Sequence, residues 1–385
     1  MCSGSSLTTI LTGDAENYRP WLRKTWFLQG DFGIKPLASI PFKKSMKLTA
    51  EPITLDLTTT FRIAHGASDQ RFNVVARLEY DGLTGLGEAP GVVYLGESQE
   101  GIIAYLESAK PTLGDDPFHL EDILNNLPAG SRAARAALDI ALHDLWGKIV
   151  GHPVYRLFGL NPERTPPTSF TIPIAEPALM AERARSSGFP IIKIKLGAGQ
   201  DEAIVAAIRN ATGARLRLDA NAGWSRIEAL DLIPRLVQYD IELIEQPLPV
   251  GDIQGLVELR ARLRQQGIGV PIFADENVKF ARDVAAHQGA VDGVVIKLAK
   301  TGGLREAMRA IAVARSLDMQ VMIGCMVESS LGVTAAAHLA PLCDYVDLDG
   351  PLLIRNDPFL GVRYQDARLL LSDQPGLGVS RRAAS

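Results

Sequence analysis

Eight short apolar runs constrain this chain more than any other feature. They read TSFTI, PIIKIKL, ARLRLDA, IELIEQP, VPIFADE, VDGVVIKL, MQVMIGC and YVDLDG, and all lie after Pro167. They recur roughly 22 to 29 residues apart, with a helix-compatible stretch in most of the gaps, which is the period of a (β/α) barrel. Such a barrel gathers its chemistry at the C-terminal ends of its strands. Gly350 and Pro351 directly after the last run predict that the final strand has no full helix behind it.

Upstream the texture differs. Lys47 to Glu88 alternates in the manner of strands, and Asp81-Gly82 is a two-residue hairpin signal because both positions of a type I′ turn need positive φ. Residues 98–160 turn helical. The strongest helix reads SRAARAALDIALHDLWGKIVG, with Gly147 or Gly151 near its end. Strands followed by helices predict a separate α+β domain over residues 46–165. The barrel then occupies 166–354, and the tail 355–385 is expected to return to the first domain. Residues 1–45 read as a leader, either disordered or upstream of a natural start at Met46. Asp14, Glu16 and Arg19 interrupt any signal-peptide core there, and no apolar stretch precedes Cys2.

A net charge of −4 supplies no basic field for nucleic acid, and no apolar run approaches the roughly 18 residues of a membrane span. Three scattered cysteines fit a reducing, cytoplasmic setting. The partner expected is a small-molecule substrate, and a homo-oligomer is compatible with the sequence. GAGQDE lacks the third glycine of a dinucleotide fingerprint, and no Gly-Lys-Ser/Thr loop exists.

What ends each run points to chemistry. The second carries Lys193 and Lys195, which share a face because strand side chains alternate. The third ends at Asp219 with Asn221 beyond, the fourth at Glu245, and the fifth at Asp275 with Glu276. The sixth ends at Lys297, and the eighth holds Asp347 and Asp349. In a barrel these converge on one mouth. Three carboxylates from adjacent strands suit Mg²⁺ better than zinc, although an ion-pair network would use the same residues. Lys195 and Lys297 lie on opposite strands and can approach a substrate from two faces. Crowding by Lys193 and a metal's charge should lower the pKa of Lys195 and let it act as a base. His338 sits in an apolar stretch and reads as structural.

The constellation resembles the enolase superfamily, muconate-lactonizing subgroup, over Met46 to the C-terminus. That resemblance implies a (β/α)₇β modified TIM barrel with an α+β capping domain, a lysine base beside Mg²⁺, and Lys193, Lys195, Asp219, Glu245, Asp275 and Lys297 as catalytic and metal positions. Within the subgroup, GCMVESS and DLDGP are similar to strand ends of dipeptide epimerases. There, two aspartates placed like Asp347 and Asp349 hold the dipeptide's α-ammonium. Epimerases acting on Ala-Glu carry Arg-Gly in a capping loop. This chain has His65-Gly66, with Arg62 and Arg71 nearby, so a C-terminal residue other than an acidic one is expected.

The expectation is thus a Mg²⁺-dependent dipeptide epimerase acting by 1,1-proton transfer. Lys195 and Lys297 are its bases and Lys193 an electrostatic aid. Asp347, Asp349, His65, Cys325 and Met326 meet the substrate, and Asn221 and Glu276 stand behind the metal ligands. Rival readings are an N-acylamino-acid racemase, an o-succinylbenzoate synthase or a cycloisomerase on the same scaffold, or a binding protein that keeps the fold without the chemistry.

Overall fold

The structure is a computed structural model and describes residues 45–383. Apart from Ser45, the expected leader lies outside the described residues.

Three antiparallel strands come first among the described residues: β1 Lys47–Ile63, β2 Gly66–Tyr80 and β3 Leu83–Ala89. Asp81 and Gly82 take φ of 48° and 79°, the hairpin geometry expected of them. The β1–β2 hairpin turns at Ala64-His65, since Ile63 pairs with Gly66. Helices α1 Gln99–Ala109, α2 Leu120–Asn125 and α3 Arg132–Val150 cover this sheet. Ser131 caps α3 by accepting from the Ala134 N–H, and Gly151 ends it at φ 74°, so Gly147 stays inside the helix. Leu48, Val74, Ile102, Leu106, Leu138 and Leu142 belong to the core of this domain. A short helix, α4 Val154–Leu157, leads out of it.

Eight parallel strands follow: β4 Phe170–Ile172, β5 Ile191–Lys195, β6 Arg215–Asp219, β7 Ile241–Glu245, β8 Ile272–Ala274, β9 Gly293–Lys297, β10 Gln320–Gly324 and β11 Tyr345–Asp347. They neighbour one another in sequence order. A parallel bridge from Thr168 to Val346 joins the first strand region to the last, closing the barrel. Between them run α5 Pro177–Ser187, α6 Asp201–Ala211, α7 Arg226–Leu236, α8 Ile253–Gln265, α9 Ala281–Ala286, α10 Leu298–Thr301, α11 Leu304–Ser316 and α12 Ser330–Ala337. Only a 3₁₀ turn, Gly350–Leu353, follows β11. The fold is the (β/α)₇β modified TIM barrel with an α+β capping domain. Among the described residues no helix is long and apolar enough to cross a membrane.

Strand periodicity explains how an apolar barrel carries a polar mouth. Leu243, Phe273, Val295 and Met322 pack together as a cluster of their own, with Tyr345 against them. Two residues further along the same strands, and so on the same face, stand Glu245, Asp275, Lys297, Gly324 and Asp347. The tail then runs back over the capping domain. The Leu377 N–H donates to Asp144, the Gly376 carbonyl accepts from the Val154 N–H, and Arg381 pairs with Glu51.

Candidate active site

Register places the candidate residues side by side. Lys195 pairs with Asp219 across β5–β6, and Asp219 with Glu245 across β6–β7. On the far side Lys297 pairs with Gly324 and Gly324 with Asp347. Lys193, Lys195, Lys297, Asn221, Asp347 and Asp349 all line one cavity of about 400 Å³ under the capping domain. Strands β5 and β9 are four apart in an eight-stranded barrel, so Lys195 and Lys297 enter from opposite walls.

Lys193 is 1 % exposed, and its Nζ lies 2.7 Å from Asp347 Oδ2, 2.7 Å from Glu245 Oε2 and 3.1 Å from Asp219 Oδ2. Lys195 Nζ meets Asp219 at 2.6 Å and Lys297 Nζ meets Asp275 at 2.7 Å. The two β5 lysines therefore share Asp219 rather than facing each other bare. Burial alone would push Lys193 down, but Asp347, Glu245, Asp219 and Asp275 win and hold it well above the usual lysine range. The same contest, with Asp275 as the leading carboxylate, holds Lys297 high. In the same way the lysines overcome burial at Asp219 and Asp275 and hold both well below the usual carboxylate range.

Glu245 is the exception. Burial and the neighbouring Asp219 push its pKa well up, against the pull of Lys193. Neither of its buried oxygens finds a hydrogen bond, although Lys193 stands 2.7 Å from one of them. Asn221 Oδ1 and Glu276 Oε2 are likewise buried and unsatisfied. Among the described residues no three His, Cys, Asp or Glu groups already form a closed metal cage, and the ammonium of Lys193 lies against both Asp219 and Glu245. Six carboxylates nonetheless face four ammonium groups here: Asp219, Glu245, Asp275, Glu276, Asp347 and Asp349 against Lys193, Lys195, Lys297 and Lys300. Unsatisfied buried carboxylate oxygens and an all-oxygen donor set fit a hard divalent cation.

Asn221 takes φ 46°, donates its N–H to Asp219 Oδ1 at 2.9 Å and reaches Glu276 at 3.3 Å through its amide. Glu276 is pushed up to about 7 by burial and by Asp275. Asp347 and Asp349 do not sit two apart on one strand. The strand β11 ends at Asp347, and Asp349 begins the 3₁₀ turn. They also differ in duty. Asp347 accepts from Ser169 Oγ and pairs with Lys193, which lowers it, whereas Asp349 accepts from the Thr171 N–H at 2.6 Å and forms no ion pair among the described residues. Burial and Asp347 push Asp349 up to about 7.

His65 lies at the cavity mouth, its ring 5.6 Å from that of Tyr94. Met326 lines the cavity and receives a 3.9 Å contact from the Tyr94 hydroxyl. Cys325 also lines it, and burial together with Asp349 pushes its thiol well up, away from the reactive thiolate form. Arg71 reaches the cavity, and Arg62 faces a separate outer cleft.

Sequence reading missed Lys300, which donates to Asp275 Oδ1 at 2.5 Å and to the Asp275 carbonyl. Its signal was spacing: it follows Lys297 by three residues at a strand end where a helix begins. Ser169 and Thr171, which hold the two aspartates, carried no signal at all.

Family comparisons can now be placed on this geometry. Residues 47–159 match the family described as mandelate racemase / muconate lactonizing enzyme, N-terminal domain, and residues 177–384 match the one described as enolase C-terminal domain-like. The chain belongs to this family of the enolase superfamily. Among the family's curated members, the L-Ala-D/L-Glu epimerase of Bacteroides thetaiotaomicron is 42% identical, over 87% of this chain and 88% of that one. The hydrophobic dipeptide epimerase of Roseobacter litoralis is 38% identical, over 86% and 98%. The crystal structure of a dipeptide epimerase from Cytophaga hutchinsonii, complexed with Mg and D-Ala-L-Val, superimposes with a TM-score of 0.83 at 29% identity, covering 88% of this chain and 96% of that one.

Proposed function

We propose that the protein is a Mg²⁺-dependent dipeptide epimerase that inverts the α-carbon of the C-terminal residue. The observation that carries this is the pair of lysines entering one cavity from opposite walls, with three carboxylate-bearing strands between them. Simple binding needs no such pair. Family members acting on dipeptides, one of them holding Mg and a dipeptide, support the reading.

Asp219, Glu245 and Asp275 would hold the metal, with Asn221 and Glu276 behind them. When bound, Mg²⁺ would supply the counter-charge for the second negative charge that a carboxylate gains when its α-proton leaves. Lys195 and Lys297 each face one side of the α-carbon, so one takes the proton and the other delivers one to the opposite face. Lys193, held by Asp347, Glu245 and Asp219, adds fixed positive charge beside the reacting carboxylate. Asp349 lacks a cation, and a dipeptide's α-ammonium supplies one. An N-acylated amino acid or a succinylbenzoate precursor does not. Free thiols at Cys325 and Cys343 support a reducing, cytoplasmic setting as part of the proposal. The test is proton exchange: wild-type enzyme with Mg²⁺ in D₂O should place deuterium at the α-carbon of a dipeptide's C-terminal residue. Exchange confined to N-acylamino acids would replace this reading by the racemase one.

A further inference from the structure

The turn behind Lys297 is held from the capping domain. Helix α10, Leu298–Thr301, is a single turn, and a helix that short has little stability of its own. At its end stands Arg132, the first residue of α3. Its Nε donates to the Lys300 carbonyl, and its Nη2 donates to the Thr301 carbonyl and, at 3.0 Å, to the Lys279 carbonyl. The guanidinium also stacks over Phe280, 3.7 Å from the ring centre. Lys279 and Phe280 close the loop that starts at Asp275. One side chain thus joins the segment behind β8 to the segment behind β9. Asp275 and Lys297, 2.7 Å apart, stand at the heads of those two segments. All three acceptors are backbone carbonyls, so the charge of Arg132 fixes where the chain runs.

Three further contacts carry that brace to the site. Thr301 Oγ1 donates to the Lys297 carbonyl at 3.2 Å, and Lys300 Nζ grips the Asp275 carboxylate from the same turn. The elbow after α10 lies hard against α3: a Cβ on Gly303, at φ 121°, would stand 2.3 Å from Asp139 Oδ2, which accepts from the Leu304 N–H. Lys195 hangs on the other wall, on β5 against Asp219, away from this brace. We propose that Arg132 is a positioning residue for one base only: through α10 it holds Lys297 in line with its face of the α-carbon. This rests on the two-base dipeptide reading and deepens it. A base must stand within a fraction of an ångström of its working place, and its own support has to be rigid for that.

The experiment follows α-deuterium uptake in D₂O at saturating Mg²⁺, using the L,L and L,D forms of Ala-Leu and of Ala-Glu. Lys297→Ala first shows which epimer depends on Lys297, as the one it no longer exchanges. Arg132→Met should slow exchange of that epimer, and epimerisation with it, by about 10- to 100-fold through kcat, the scale of a misplacement of roughly 1 Å. KM and exchange of the other epimer should stay close to wild type. Arg132→Lys, which keeps a charged donor, should recover part of the loss. Thr301→Val should show the same asymmetry more weakly, and it decides the matter if Arg132→Met does not fold. Equal loss for both epimers, a rise in KM alone, or symmetric behaviour of Thr301→Val overturns the inference, as does an Arg132→Met enzyme that matches wild type. Failure of wild type to exchange the α-proton of any dipeptide is a different result, and it removes the dipeptide reading itself.

Discussion

At the scale of single residues, function rests on side chains that a soluble core normally excludes. On the proposed two-base mechanism, Lys195 and Lys297 should each be needed for inversion, one to remove the proton and the other to return it. Lys195→Ala and Lys297→Ala should therefore both abolish epimerisation, while each still exchanges solvent deuterium into one enantiomer; polarimetry beside NMR exchange separates the two. Near wild-type epimerisation by either variant would rule out a two-base mechanism. Lys193→Ala should slow both directions tenfold or more, because about 1.4 kcal/mol of lost electrostatic stabilisation is already a factor of ten. The two aspartates should separate as well. Asp349→Asn should raise KM for dipeptides by roughly 10- to 100-fold, the worth of a hydrogen bond to a charged group, and affect N-acylamino acids less. Asp347→Asn also strips Lys193 of a partner, so it should lower the melting temperature too. Equal melting temperatures for the two variants would contradict that division of labour.

At the scale of elements, His338 joins three segments. It lies at the end of α12, its Nδ1 accepts from the Tyr155 N–H of α4 at 3.0 Å, and its Nε2 donates to the Leu377 carbonyl of the tail at 3.2 Å. A protonated ring would set N–H against N–H at Tyr155. Burial accordingly lowers its pKa from 6.5 to about 4. The unfolded chain binds this proton more readily than the folded one, so the contribution is fully present above pH 6.5 and is lost as pH falls through about 4. A shift of that size corresponds to roughly 3 kcal/mol. Urea midpoints should fall more steeply between pH 6.5 and 4 in wild type than in His338→Gln. Parallel pH curves would show that the ring carries no such penalty. A second link, Glu88 of β3, accepts from Ser329 Oγ and from the Ser329 and Gly332 N–H groups, tying the capping sheet to the loop that presents Met326.

At the scale of the whole molecule, metal and stability are one equilibrium. An ion that binds only the folded state stabilises it by about 2.7 kcal/mol at a hundred times its Kd. Thermal unfolding should therefore shift upward with Mg²⁺, and chelation should both reverse the shift and stop turnover. Glu245→Gln should lose the shift. In chelator it should lose less stability than Asp347→Asn does, because burial and Asp219 already push the Glu245 carboxyl toward its neutral form while Asp347 stays ionised beside Lys193. A Glu245→Gln variant that is strongly destabilised without metal would show that Lys193 already compensates that charge.

The barrel, the Asp81-Gly82 hairpin and the strand-end lysines and carboxylates are all legible in the order of the residues. Each of these is written in local periodicity: alternation on strands, helices in the gaps, and a polar residue where an apolar run stops. Tertiary structure decided the partners. That Lys193 is held high by four carboxylates, that Asp347 is occupied while Asp349 is not, that Lys300 backs Asp275 and that Arg71 rather than Arg62 reaches the cavity all follow from which strands lie side by side and which way the β1–β2 hairpin folds over them. Charges act through space over a few ångströms, and residues more than 150 positions apart in the chain become neighbours only when the barrel closes.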